Sequence, residues 1–288
     1  MEKMDMQAHE KLALAEEKYT KLLEILQGME RIVVAFSGGV DSTFLTYAAK
    51  EAVGVNALAV TSRSGVVPQR DLREGAAFCE QQGIAHAYVD FDELAVPVFA
   101  ENPPDRCYIC KKTLFTKLLE IAAKEQAVLC EGSNMDDLGD YRPGLRALRE
   151  LSVRSPLQEA GLTKSEIRLL SQKFGLPTWA KPASACLASR FAYGETITAA
   201  KMQAVDAAEQ LLFELGFTQF RVRVHGEEKR GLLARIEVLP EDLGKALQPE
   251  CRQAIITKFK SLGFAYVTLD LLGYRMGSMN EVLGVAGA

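Results

Sequence analysis

The sequence predicts an α/β protein, in which a parallel-sheet domain precedes a smaller α+β domain. Three observations carry that prediction. Over residues 31–131, short runs rich in β-branched residues alternate with segments of helical spacing, the rhythm of βαβ units. The first run, Arg31-Ile-Val-Val-Ala-Phe36, is apolar almost throughout, as a strand covered on both faces must be. Near Thr198 the rhythm changes to helix, two strands, helix and a last strand.

Leu12, Ala15, Tyr19, Leu22, Leu23 and Leu26 recur at helical spacing and predict a helix over 7–27 with one apolar face. After the strand at 31–36, a Gly-Gly turn leads into a helix at 41–50. Strand 57–61, helix 68–82, strand 85–89, helix 111–124 and strand 127–131 follow. Residues 142–193 read as loops around one helix. Thr163-Lys-Ser-Glu166 is a capping box that opens it, and Gly175 with Pro177 closes it. The second domain should hold a helix at 199–215, strands at 220–225 and 232–238, a helix at 241–262 and a strand at 266–269. The boundary falls near Gly194, giving domains 1–193 and 194–288.

The 288 residues suffice for two cores, with 48% hydrophobic and 25% charged residues. A net charge of −4 offers little counterion release on nucleic acid, so a general tRNA or DNA binder is disfavoured. No run approaches the roughly 20 apolar residues of a membrane helix. The N-terminal segment is charged throughout and lacks the apolar core of a signal peptide, which points to the cytoplasm. There the six cysteines are core residues, metal ligands or reactive thiols rather than a disulfide framework.

Ser37-Gly38-Gly39-Val40-Asp41-Ser42 lies between a buried strand and a helix. Glycines there admit positive φ and keep side chains away, so amide N–H groups can converge on an anion at the positive end of the helix dipole. The alternative, a tight turn without a ligand, fits six such residues in this setting far less well than it would a lone glycine pair. The string resembles the PP-loop of ATP pyrophosphatases, enzymes with the adenine nucleotide alpha hydrolase-like fold. The resemblance implies that Ser37, Gly38, Gly39, Asp41 and Ser42 hold the pyrophosphate of ATP with Mg²⁺ nearby, and that Ser62, ending the second strand, lies at the adenine.

Cys107-Tyr-Ile-Cys110 stands at a helix start, where such a pair can bind a metal, hold a cluster, act in redox chemistry or simply line a core. Cys186 is the natural third member. It lies in a loop of small residues beside Lys181 and Arg190, cations that favour its thiolate. Three soft ligands without an obvious fourth suit a 4Fe-4S cluster with an open iron better than closed structural zinc. Cys79, Cys130 and Cys251 fall inside helix or strand patterns and read as inert. His9, His86 and His225 lack ligand spacing, and His86 reads as a packing residue.

Longer strings narrow the family. Glu131-Gly-Ser-Asn-Met-Asp-Asp-Leu-Gly-Asp-Tyr-Arg-Pro-Gly144, Ser155-Pro-Leu, Lys181-Pro-Ala-Ser-Ala-Cys186 and Ser189-Arg-Phe-Ala-Tyr-Gly194 resemble the LarE family. So do Phe220-Arg-Val-Arg-Val-His225, Val267-Thr-Leu-Asp270 and Gly273-Tyr-Arg, so the likeness spans nearly the whole chain. It implies an ATP-dependent, pyrophosphate-releasing sulfurtransferase. Such enzymes adenylate the carboxylates of pyridinium-3,5-biscarboxylic acid mononucleotide and make the thiocarboxylates of the nickel-pincer cofactor of lactate racemase. In one branch a cysteine matching Cys186 gives up its own sulfur and becomes dehydroalanine. In another, cysteines matching Cys107, Cys110 and Cys186 hold a 4Fe-4S cluster with a transferable sulfide, and the three cysteines here select that branch. A hexamer, a trimer of dimers, is implied as well, with the second domain binding substrate and building the oligomer; the sulfide donor is not revealed.

Period-two alternation puts Arg221, Arg223 and His225 on one strand face. That pattern alone favours a solvated face over an anion site. The resemblance makes Arg221 and Arg223 ligands of the substrate's phosphate. It also places Asp136, Asp137 and Arg142 at the functional edge of the sheet, with Asp137 as a catalytic candidate and Arg142 among the ligand-binding residues. Arg190 is assigned to the acyl-adenylate pocket, and Glu209 and Glu237 are possible metal ligands. A tRNA thiolase would need a basic face and often a second Cys-x-x-Cys, and an ammonia-dependent ligase has no use for the three cysteines. A sulfide carrier with a vestigial ATP loop is the non-enzymatic alternative.

Overall fold

The structure is a computed structural model that describes residues 2–139, 143–182, 185–226 and 231–283. The chain forms two compact units. The first comprises Met1–Ser64, Gln69–Phe91 and Cys107–Ser184, the second Gly65–Pro68, Asp92–Arg106 and Ala185–Ala288.

The first unit carries α1 (Glu2–Gln27), β1 (Ile32–Ala35), α2 (Val40–Val53), β2 (Ala57–Arg63), α3 (Gln69–Gln81), β3 (Ala85–Asp90), α4 (Arg106–Lys124, from Cys107 onward), β4 (Val128–Cys130), α5 (Pro143–Glu150), α6 (Pro156–Glu159) and α7 (Lys164–Lys173). Its four strands pair in parallel in the order β3-β2-β1-β4. β1 shows why its sequence lacks polar alternation. Ile32 and Val34 enter a core with Leu22, Leu26, Phe44, Leu45 and Ile167. Val33, on the opposite face, packs with Phe115, Leu118, Leu129 and Leu148. With helices on both faces, every β1 side chain needs an apolar neighbour.

That strand order contains a topological switch. From β1 the chain steps outward to β2 and β3, then returns to place β4 on the other side of β1. The loops after β1 and β4 therefore flank the crevice in which open parallel sheets bind ligands. Gly132 brings these loops to backbone contact. A Cβ placed on it would lie 3.0 Å from the Ser42 amide nitrogen and 3.2 Å from the Asp41 carbonyl carbon.

The second unit holds α8 (Ala199–Glu214), β5 (Phe220–His225), β6 (Leu232–Val238), α9 (Leu243–Ala246), α10 (Pro249–Ser261) and β7 (Phe264–Leu269). β6 lies between antiparallel β5 and parallel β7. Its core includes Val205, Leu212, Phe217, Val222, Ile236, Phe259 and Phe264.

Three features depart from the sequence expectations. Residues 185–193 group with the second unit rather than ending the first at Gly194. Their hydrogen bonds explain it: Asn102 Nδ2 donates to the carbonyls of Phe191 (3.2 Å) and Ala192 (2.6 Å), and Phe191 bridges Val224. The helix expected over 241–262 is broken, because Pro249 lacks an amide hydrogen and starts α10 afresh. Residues 143–150, expected as loop, form α5.

Replacing Gly132 by Ala should destabilise the protein by about 1–3 kcal/mol, the usual cost of forcing extra atoms into a packed site. Urea denaturation measures it, and an unchanged midpoint would contradict the backbone contact with Ser42.

Candidate active site

The first unit builds its site from the loop 37–42. Gly38 holds a positive φ of 69°, and a Cβ on it would lie 3.2 Å from the Asp71 carbonyl oxygen. Gly39 has ordinary extended backbone and is the residue before α2. The loop is braced internally. The Ser37 amide donates to Ser42 Oγ (3.3 Å), the two serine hydroxyls lie 3.0 Å apart, and Ser42 Oγ donates to the Gly39 carbonyl (3.2 Å). The α2 N-terminus opens at this loop, so its unsatisfied amides and dipole face the position a phosphate would take.

Two lysines distant in sequence reach the loop. Lys164 Nζ contacts Asp41 Oδ2 at 2.5 Å, while Asn134 Nδ2 donates to Asp41 Oδ1 at 3.3 Å. Lys181 Nζ donates to the Gly38 carbonyl (3.2 Å) and lies 2.9 Å from Asp71 and 2.8 Å from Glu74. Neither contact was visible in the sequence. Lys164 is hidden inside a capping box, which the structure forms with Thr163 and Glu166.

The loop after β4 is held by its own carboxylates. Glu131 is buried and accepts from the Ser133 amide, the Ser133 hydroxyl and the Ser155 hydroxyl. Asp137 is buried and accepts the Asn134 amide at 2.9 Å. Asp136 accepts the Lys164 amide at 2.9 Å. These aspartates thus shape the turn that presents Asn134 to Asp41. Arg142 lies outside the described residues. At the end of β2, Thr61 Oγ1 donates to the Phe36 carbonyl and meets His86 Nε2 at 2.8 Å. The Ser62 hydroxyl is buried without a hydrogen-bond partner. His86 packs against Phe36 and Tyr88, and burial pushes its pKa down.

The second unit concentrates charge under cover. Both faces of β5 are buried, Arg221 and Arg223 included, so the solvated-face reading does not hold. Arg190, 2% exposed, forms a two-pronged pair with Glu209 at 2.9 and 2.8 Å. Its Nη1 also donates to the carbonyls of Ala185 (2.7 Å) and Cys186 (3.2 Å). Arg223 donates to Glu237 at 3.1 and 2.9 Å and to the Ser189 carbonyl at 2.9 Å. Glu237 is fully buried and also takes Ser278 (2.8 Å) and Arg235 (3.0 Å). Arg221 donates to the Phe220 carbonyl and lies 5.2 Å over the Tyr274 ring. Burial, and then the neighbouring Arg190, pull its pKa down to about 10. Burial alone would raise the Glu209 carboxyl, but Arg190, Arg221 and the Val222 amide hold it below the usual range.

The cysteines divide by exposure. Cys107 and Cys186 are exposed and Cys110 is half-buried, with Cys107 and Cys110 one helical turn apart at the start of α4. Burial raises the Cys79 thiol to about 11 and the Cys130 thiol to about 12, and raises Cys251 too. Among the described residues, no three His, Cys, Asp or Glu side chains are grouped as a metal site. Glu209 and Glu237 are engaged by arginines instead. No helix among the described residues is long and apolar enough to cross a membrane.

Residues 18–113 match the NAD synthase family. Over 271 residues the chain is 42% identical to an uncharacterised protein of Synechocystis, covering 94% of this chain and 99% of that one. It is 39% identical over 272 residues to the pyridinium-3,5-bisthiocarboxylic acid mononucleotide synthase of Lactiplantibacillus plantarum, covering 94% and 96%. The chain belongs to this synthase family. It is an enzyme of the ATP-dependent sulfurtransferase class, built on a PP-loop domain with a smaller second sheet domain. An uncharacterised protein of Methanocaldococcus jannaschii is 28% identical over 85% of this synthase-family chain.

Three expectations follow. Arg190→Ala should cost about 3–5 kcal/mol, because it leaves Glu209 buried without its main partner. The Glu209 carboxyl is held below its unfolded pKa, so its stabilisation is present above the carboxylate range and lost as pH falls through it. Thermal melts from pH 7 to 3 should therefore fall less steeply for Glu209→Gln than for the parent, and parallel curves would refute the assignment. In folded, chelator-treated protein at pH 8, brief alkylation should label Cys107, Cys110 and Cys186 before Cys79 and Cys130, as peptide mass spectrometry would show.

Proposed function

We propose that this enzyme adenylates the carboxylates of pyridinium-3,5-biscarboxylic acid mononucleotide and converts them to thiocarboxylates for the nickel-pincer cofactor of lactate racemase. The observation that carries this reading is the 39% identity along 94% of the chain to a synthase of the bisthiocarboxylic product. A carboxylate oxygen attacks the α-phosphorus of ATP, and pyrophosphate leaves. The acyl adenylate has lost the charge that repels nucleophiles, so a sulfur nucleophile attacks its carbonyl carbon and expels AMP.

Ser37, Gly38, Gly39, Asp41 and Ser42 receive the pyrophosphate half of ATP, with Asp41 as the carboxylate that a Mg²⁺ ion would use. The buried hydroxyl of Ser62, lacking a protein partner, supports a role at the nucleoside. Arg221 and Arg223 bind the substrate's phosphate, and Arg142 joins the ligand-binding set by resemblance. Arg190 holds the Cys186 segment by its carbonyls and so positions it. Asp137 acts through Asn134 rather than on the reacting atoms.

For the sulfur source we infer a 4Fe-4S cluster held by Cys107, Cys110 and Cys186. The donors fit in kind, being soft thiols less buried than Cys79 and Cys130. The cluster would supply a transferable sulfide. Thiol ligation favours a reducing compartment such as the cytoplasm, and the family resemblance supports a homo-oligomer.

Anaerobic turnover with ATP, Mg²⁺ and the pyridinium dicarboxylate mononucleotide tests both parts. Pyrophosphate, AMP and thiocarboxylate should form over several turnovers, with iron and sulfide bound and Cys186 intact by mass. Cys186→Ala should abolish thiocarboxylate while substrate-dependent pyrophosphate release persists. Dehydroalanine at Cys186 would make that residue the sulfur donor, and absence of substrate-dependent pyrophosphate release would overturn the adenylation itself.

A further inference from the structure

Lys181 stands outside the PP-loop string, and the sequence gives it a role only as a cation near Cys186. Its side chain is 14% exposed, and its ammonium meets three oxygens: the Gly38 carbonyl at 3.2 Å, Asp71 Oδ1 at 2.9 Å and Glu74 Oε2 at 2.8 Å. Asp71 is 5% exposed, so this is a built contact rather than a solvated surface pair.

We infer that Lys181 is a positioning residue for the pyrophosphate half of the nucleotide site, fixing the orientation of the Gly38–Gly39 peptide. The inference rests on the reading of that loop as the ATP site. A trans peptide is planar, with its C=O and N–H directed oppositely. With the Gly38 carbonyl turned to Lys181, the Gly39 N–H is turned away from it. Rotation of a peptide unit meets least resistance between two glycines, where no Cβ stands on either side. The rest of the loop is pinned by its own members. The Gly39 carbonyl accepts from the Thr43 amide (2.9 Å) and Ser42 Oγ (3.2 Å), and the Ser37 amide donates to Ser42 Oγ. The Gly38–Gly39 unit is gripped by a side chain 143 residues away. A flipped unit would present a carbonyl oxygen where the N–H had been, and an oxygen repels phosphate. Because Asp71 and Glu74 already balance the ammonium, Lys181 contributes orientation more than net charge.

Binding of Mg²⁺ complexes of α,β-methylene-ATP, which cannot be cleaved between its α and β phosphorus atoms, reads the inference without the second substrate. Calorimetry should show at least tenfold weaker binding in Lys181→Met, with AMP affinity within threefold of the parent. Lys181→Arg should restore the analogue to within threefold. Since Lys181→Met removes a cation from the buried Asp71, the Lys181→Met, Asp71→Asn double variant provides a second reading and should show the same selective loss. Analogue binding by the double variant within twofold of the parent would overturn the inference alone. Equal losses for AMP and the analogue would assign Lys181 to the fold and overturn it too. Failure of the parent protein to bind the analogue would sink the ATP reading together with this inference.

Discussion

The nucleotide end of the first unit depends on one backbone constraint, the positive φ of Gly38 beside the Asp71 carbonyl. That conformation turns the chain from β1 into α2 within a few residues, and any side chain there would meet α3. α3 can approach so closely because it also offers a glycine: a Cβ on Gly75 would lie 3.2 Å from the Phe36 ring and 3.9 Å from the Gly38 Cα. On the opposite side Gly132 brings the loop after β4 against the first turn of α2. The PP-loop is therefore walled by backbone on two sides. Its shape is set by contacts that leave no room for side-chain adjustment, which is the preorganisation an anion cradle of amides requires.

The second unit solves a different problem, keeping arginines and glutamates out of water. Removing such charges from solvent costs several kcal/mol per ion unless geometry compensates. Here guanidinium forks meet carboxylates and the remaining donors and acceptors reach carbonyls and hydroxyls, as with Arg190 on Glu209, Ala185 and Ser189. The pair also carries chemistry outward. Glu209 orients Arg190, and Arg190 holds the Cys186 carbonyl, so an exposed thiol hangs from a buried ion pair. A rigid anchor beneath a reactive side chain limits the geometries that side chain samples.

What the sequence disclosed, and what it hid, follows from the range of each interaction. β1, the PP-loop turn and the capping box at Thr163 are local patterns, and all three appear where periodicity and turn chemistry put them. Alternation placed Arg221 and Arg223 on one face, yet it carries no information about what covers that face. Lys164 and Lys181 reach the loop across 123 and 143 residues, and a single polar contact over that span leaves no periodic trace. The motif string marks Asp137 as important, and the structure adds a contact that the string does not show, the Asn134 amide donating to its carboxylate. Likewise, hydrogen bonds from Asn102, not a change of rhythm, tie residues 191–192 to the second unit.

The charge balance reconciles a net charge of −4 with the binding of polyanions. At the PP-loop, the cations Lys164 and Lys181 are matched by Asp41, Asp71 and Glu74, so the side chains there supply no positive excess. Attraction for a phosphate must then come from oriented amides and the α2 dipole, which act at short range and only on a ligand of the right shape. In the second unit, the buried Arg190, Arg221 and Arg223 cluster with the buried Glu209 and Glu237. Burial is the main cause of the depressed Arg221 pKa, and the neighbouring Arg190 is the next. On the proposed function, one unit takes its anion by backbone geometry and the other by buried arginines, and neither requires a basic surface that would gather nucleic acid.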